Sequence, residues 1–116
     1  MSDTFLMAAG MGGMIIALVH GYLGQTIVLP SFSGGTPPVR RVNQAVFQLS
    51  TLYWFAGGIA LICAALFMEQ GERTIIVAMV SFLYVTGAIG NFWATRGRHP
   101  GWFLLALVTG LALIGS

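Results

Sequence analysis

Charge is what this chain lacks. Its 116 residues include three carboxylates and five basic side chains, all of them arginine, so only 7% of the sequence is charged. A typical soluble domain carries about 25%. A soluble fold of this size could not cover itself with so little polar surface, and the net charge of +2 reflects scarcity of charge more than a basic patch. Nucleic acid is therefore excluded as a partner, because phosphate contacts require clustered Lys and Arg. The single cysteine, Cys63, has no partner for an intrachain disulfide and reads as a small apolar residue of the second hydrophobic stretch. No Ser or Cys has an identifiable base in reach, and no second imidazole or carboxylate lies near His20 to complete a zinc set. No catalytic residue and no metal site are expected, and an enzyme is the less favoured reading.

What the chain has is apolar length. Hydrophobic residues make up 57% of it, glycine contributes sixteen positions, and four apolar stretches fill most of the sequence, at about 5–29, 42–68, 74–93 and 101–115. All but the last approach the ~20 residues that a helix needs to cross a hydrocarbon core. The expectation is an all-α, integral membrane four-helix bundle with up-down-up-down topology, a single transmembrane domain over 1–116. The leader Met1-Ser2-Asp3-Thr4 is acidic where a signal peptide carries Lys or Arg, so the first stretch is expected to be a retained helix.

The connections set the expected orientation. Arg40, Arg41, Arg96 and Arg98 fall in the first and third, which an even-numbered bundle places on one side, whereas Asp3, Glu69, Glu72 and Arg73 fall on the other. Four arginines against one put the first side in the cytoplasm and both termini on the non-cytoplasmic side. These four arginines are the candidate lipid headgroup contacts. Gly71 is expected to stop the second helix, and Gly97 followed by Pro100 to end the third and start the fourth. The Gly and Pro content from Pro30 to Pro38 predicts an irregular connection, with Thr36 as N-cap and Pro37 at the first helical position.

Small residues recur where helices would touch. Gly13, Ala17 and Gly21 share a face of span one, Gly87 and Gly90 lie in span three, and Ala106 and Gly110 in span four, a spacing that permits close backbone approach within the bundle or between chains. Trp93 and Trp102 bracket the third connection at the depth aromatic rings prefer, while Trp54 lies deep in span two, where core filling is favoured. The strongly polar groups form a candidate cluster: His20 near the end of span one, Gln44, Gln48 and Thr51 on one face of span two, and Asn91 near the same end of span three. Such groups are costly in a membrane unless paired, so they are expected to face inward. A register-fixing hydrogen-bond network is the first reading and a headgroup, quinone or proton site the second. No cofactor is expected. Haem is a weaker alternative still, since His99 lies in a connection and cannot pair with His20 at one depth.

The segments His20-Gly-Tyr-Leu-Gly-Gln25, Pro38-Val-Arg-Arg-Val42 and Gln48-Leu-Ser-Thr-Leu-Tyr-Trp54 resemble those of small uncharacterised four-span bacterial inner-membrane proteins, with a His-x-x-Leu-Gly segment ending helix one. The resemblance covers roughly the first half of the chain and implies a multi-pass protein of the bacterial inner membrane. Gln25 stands where that pattern has Glu and Gln48 where it has His, which removes two titrating groups. The intramembrane glutamate of small multidrug-resistance transporters is missing from span one. Three functions are weighed in order. The first is a non-catalytic accessory or assembly subunit that meets membrane lipid and other subunits, or itself, through glycine-rich and aromatic faces. The second is a small lipid- or quinone-binding protein or enzyme using His20, Gln48 and Asn91. The third is a homodimeric transporter, disfavoured because no charge lies inside a span.

Overall fold

A computed structural model describes residues 1–31 and 34–116, and among these no strand occurs. Four helices account for almost all of them: α1 (Ser2–Ser31), α2 (Pro37–Phe67), α3 (Gln70–Thr95) and α4 (Gly101–Ile114). The first three are long and apolar enough to cross a membrane. The fourth has 14 residues, and at ~1.5 Å per residue its length of about 21 Å falls short of a ~30 Å hydrocarbon core.

The helix ends follow from local chemistry. Thr36 is extended (φ −70°, ψ 159°) and Pro37 and Pro38 fill the first turn of α2, where a missing N–H costs nothing; the Thr36 hydroxyl makes no capping bond. Gly71 does not stop α2. The break is made by Met68 and Glu69, both extended, and Gly71 falls inside the first turn of α3. Arg73 makes this break tight. It donates to the Ala65 carbonyl (3.3 Å) near the end of α2 and pairs with Asp3 (2.8 Å) at the start of α1. The Gly97 stop is observed: Arg96 is left-handed (φ 51°), Gly97 has φ 71°, and the Gly97 N–H bonds to the Phe92 carbonyl at 2.9 Å, closing α3 in a Schellman-type turn. The irregular connection expected from Pro30 begins later, because helix continues through Ser31; Phe32 and Ser33 lie outside the described residues.

Inside α1, Gly24–Val28 form a single π-helical turn, with the Leu29 N–H bonded to the Gly24 carbonyl. Pro30 follows immediately. Its missing N–H and bulky ring disturb the preceding turn, and a one-residue widening absorbs the misfit.

The helices pack in a ring, α1 against α2, α2 against α3, α3 against α4 and α4 against α1. Gly115 lies against Ser2 and Leu6, so both chain ends meet at one end of the bundle. The α1 and α2 backbones approach closely at Gly10 and Gly58, where a Cβ on either residue would lie 2.6 Å from the other's carbonyl oxygen. Tyr84 crosses the core from α3, fully buried, touches Gly13 and donates to the Trp54 carbonyl at 2.8 Å. Trp54 itself is 6% exposed and packs on Gly87, as core filling requires. From that contact α3 runs only to Thr95, whereas α2 runs back to Pro37, so α1 and α2 overshoot α3 by roughly 13 Å.

Candidate functional site

The polar residues gather where α1 and α2 face each other at the base of this overhang. His20 is held by α2. Phe47 stacks parallel to its ring (centroids 4.2 Å apart, 4° between planes), and Trp54 packs against it, tilted, at 4.4 Å and 50°. Its Nε2 lies 3.1 Å from Ser50 Oγ, and the Ser50 hydroxyl lies 2.6 Å from the Phe47 carbonyl. That carbonyl can only accept, so the single hydroxyl proton of Ser50 points to it. Nε2–H then donates to Ser50. Among the described residues no hydrogen-bond partner meets Nδ1.

An amide ladder continues outward from this box. Gln48 Nε2 donates to the Gly21 carbonyl (3.4 Å) and to Gln25 Oε1 (3.1 Å), and Gln44 Nε2 donates to the same oxygen at 3.4 Å. The Gly21 carbonyl fixes the orientation of Gln48, Gln48 fixes that of Gln25, and the Nε2 of Gln25 is thereby turned away from both. Thr51 packs its methyl on Gly21 and bonds back to the Phe47 carbonyl at 3.4 Å. Gly24 leaves the space that the Phe47 ring fills, so the π turn and the His20 stack are coupled through one side chain.

Four of the five expected cluster members thus line the α1–α2 seam: His20, Gln44, Gln48 and Thr51. Asn91 sits elsewhere, against Gly101 at the start of α4, with its Oδ1 buried and unpartnered and no bond to the other four. Depth along a helix is readable from sequence, but the corner of the bundle it faces is not. Sequence reasoning also passed over Ser50, which carries no periodic signal inside an apolar run. The π turn had one usable sign, Pro30 within a helical pattern.

The packing glycines divide in the same way. Gly13, Ala17 and Gly21 are buried in α1 and Gly87 meets Trp54, whereas Gly90 and Gly110 have open space beyond them and Ala106 is exposed. Ala106 lines an apolar groove of about 320 Å³ with Ala88, Phe92 and Trp102 between α3 and α4. A second cleft, about 260 Å³, opens on the overhang and has both polar and apolar walls. Neither is lined by His20. Among the described residues no three His, Cys, Asp or Glu side chains converge as a metal set would. Arg40, Arg41, Arg96 and Arg98 are all exposed at the overhang end, and the described residues contain one ion pair, Arg73 with Asp3.

No protein-family model, curated protein or solved structure matches this chain. Its function therefore has to be argued from these residues.

Proposed function

We propose that this chain is a multi-pass protein of the bacterial inner membrane that serves as a non-catalytic accessory or assembly subunit of a larger membrane complex. Its four helices then run up-down-up-down, with the arginine-bearing connections in the cytoplasm and both termini outside. The observation that carries the reading is a free helix face on α2. Val39, Val42, Val46, Leu49 and Tyr53 follow the alternating three- and four-residue spacing of a helix-packing seam, and each is between 45% and 62% exposed. They point away from α1, since Gln44, Phe47, Gln48 and Thr51 occupy the opposite side of the same turns. Much of this stripe lies on the overhang, where α3 no longer runs alongside and at whose end the exposed Arg40 and Arg41 lie. Apolar side chains at headgroup depth gain most by packing against another protein helix. The small residues left outward, Gly90 and Gly110, offer further places for close approach.

The lipid- or quinone-enzyme alternative draws less support. The His20 ring packs against two aromatic side chains, Asn91 is not beside it, and no carboxylate stands nearby to form a relay. The reading is tested by placing a photoreactive residue at Val46 or, as control, at Phe82, which is exposed on α3. In native membranes Val46 is expected to crosslink to a larger polypeptide and Phe82 to lipid. Lipid adducts alone at Val46, or a dimer of this chain alone, would contradict the assignment.

A further inference from the structure

The cleft on the overhang is lined by Gln25, Leu29, Pro30, Arg40, Asn43 and Gln44. Its charge is of one sign. Arg40 brings a guanidinium, and Gln25 presents the Nε2 that the amide ladder turns outward. Neither these groups nor the Asn43 amide donates a side-chain hydrogen bond to a described residue, while Gln44 is tied to Gln25. The cleft therefore holds a surplus of donors and one uncompensated positive charge.

The chain cannot supply the missing anion. Its carboxylate side chains are Asp3, Glu69 and Glu72; no acidic residue occurs between Asp3 and Glu69 or after Glu72. Asp3 and Arg73 pair at the far end of the bundle, and from Asp3 to Gln25 along α1 is roughly 33 Å. Arg41, the next residue on α2, is exposed but is not part of the cleft wall. Leu29 and Pro30 give the opposite wall an apolar surface.

We infer that this cleft binds the phosphate diester of an anionic membrane phospholipid: Arg40 makes charge-assisted bonds to the phosphate oxygens, Gln25 and Asn43 add neutral donors, and the glycerol region lies over Leu29 and Pro30. The site is independent of the accessory-subunit reading, since it needs no protein partner. It also separates two arginines that a plain topology signal would treat alike.

The test uses the full chain in nanodiscs of phosphatidylcholine with or without phosphatidylglycerol, released into mild detergent and weighed by native mass spectrometry. The wild type is expected to retain one phosphatidylglycerol in preference to phosphatidylcholine. Arg40→Gln is expected to cut the retained fraction by about tenfold or more, the scale of a lost charge-assisted hydrogen bond, whereas Arg41→Gln stays within about twofold because an exposed charge is screened. Asn43→Ala keeps every arginine and removes a side chain that makes no internal bond; a loss of about fivefold is expected. Equal losses in Arg40→Gln and Arg41→Gln would overturn the site in favour of diffuse attraction. Equal retention of the two lipids, or displacement of phosphatidylglycerol by excess inorganic phosphate, would overturn the lipid assignment.

Discussion

Replacing Gly58 by alanine adds one methyl group where the α1 and α2 backbones approach closely. The new Cβ would lie 2.6 Å from the Gly10 carbonyl oxygen, 2.6 Å from Met14 Cγ and 3.0 Å from the Met14 nitrogen. Two of these three atoms are backbone, so the helices must separate by about 1 Å to reach ordinary contact, and a gap of that size forfeits about a quarter to a half of the dispersion energy along the seam. Overpacking of this kind costs about 1–3 kcal/mol. Alanine also gains up to about 1 kcal/mol over glycine in helix propensity, so the measured change needs a control. Gly110→Ala supplies it, because nothing lies within 4 Å of a Cβ there. The propensity gain is common to both variants, and their difference isolates the clash at about 1–3 kcal/mol. Unfolding in mixed micelles by added sodium dodecyl sulfate, followed by near-ultraviolet ellipticity, reads that difference. Equal stabilities would refute a close Gly10–Gly58 contact, as would a Gly58→Ala variant more stable than Gly110→Ala.

Further outcomes follow from other contacts. Tyr84→Phe removes the hydroxyl bonded to the Trp54 carbonyl and is expected to cost about 0.6 kcal/mol, and no more than about 1.7, in the same assay, the average and the upper end for interhelical hydrogen bonds in membranes. Arg73→Gln is expected to destabilise more than Asp3→Asn, because Arg73, with only 13% of its side chain exposed, also serves the Ala65 carbonyl while Asp3 is largely solvent-facing; the carboxylate's share is at most about 1 kcal/mol. Gly24→Ala places a methyl group inside the Phe47 ring position and is expected to break the stack on His20, moving the imidazole proton resonances downfield as ring-current shielding is lost; unchanged resonances would contradict the coupling of the π turn to His20. In a Cys63→Ala background, Gly71→Cys is expected to react with an impermeant maleimide on intact spheroplasts and Gly34→Cys is not; the reverse pattern would invert the proposed topology.

The helices were legible because hydropathy and length alone select them, and Gly97 with Pro100 marked the α3–α4 turn by backbone geometry that few other residues adopt. Gly71 misled for the complementary reason. A glycine is compatible with a stop but does not make one, and here the extended Met68 and Glu69 together with the Arg73 clamp end α2. In the site, the i, i+4, i+7 spacing of Gln44, Gln48 and Thr51 identified a face, and that face meets α1. Asn91 was placed at the right end but at another corner, because a bundle this uniformly apolar carries no moment strong enough to orient α3 about its axis. The same degeneracy hid which small residues pack inward: Gly87 and Gly90 look equivalent in the sequence, yet one meets Trp54 and the other meets nothing. The free stripe on α2 became visible only once α3 was seen to stop short of it.

The central claim is that this chain works as part of something larger. Purification from the native membrane in a mild detergent, with the intact particle weighed and its components identified, tests it most directly. Stoichiometric recovery with one or more larger membrane subunits is the result the account predicts. Recovery as a lone small oligomer would contradict it.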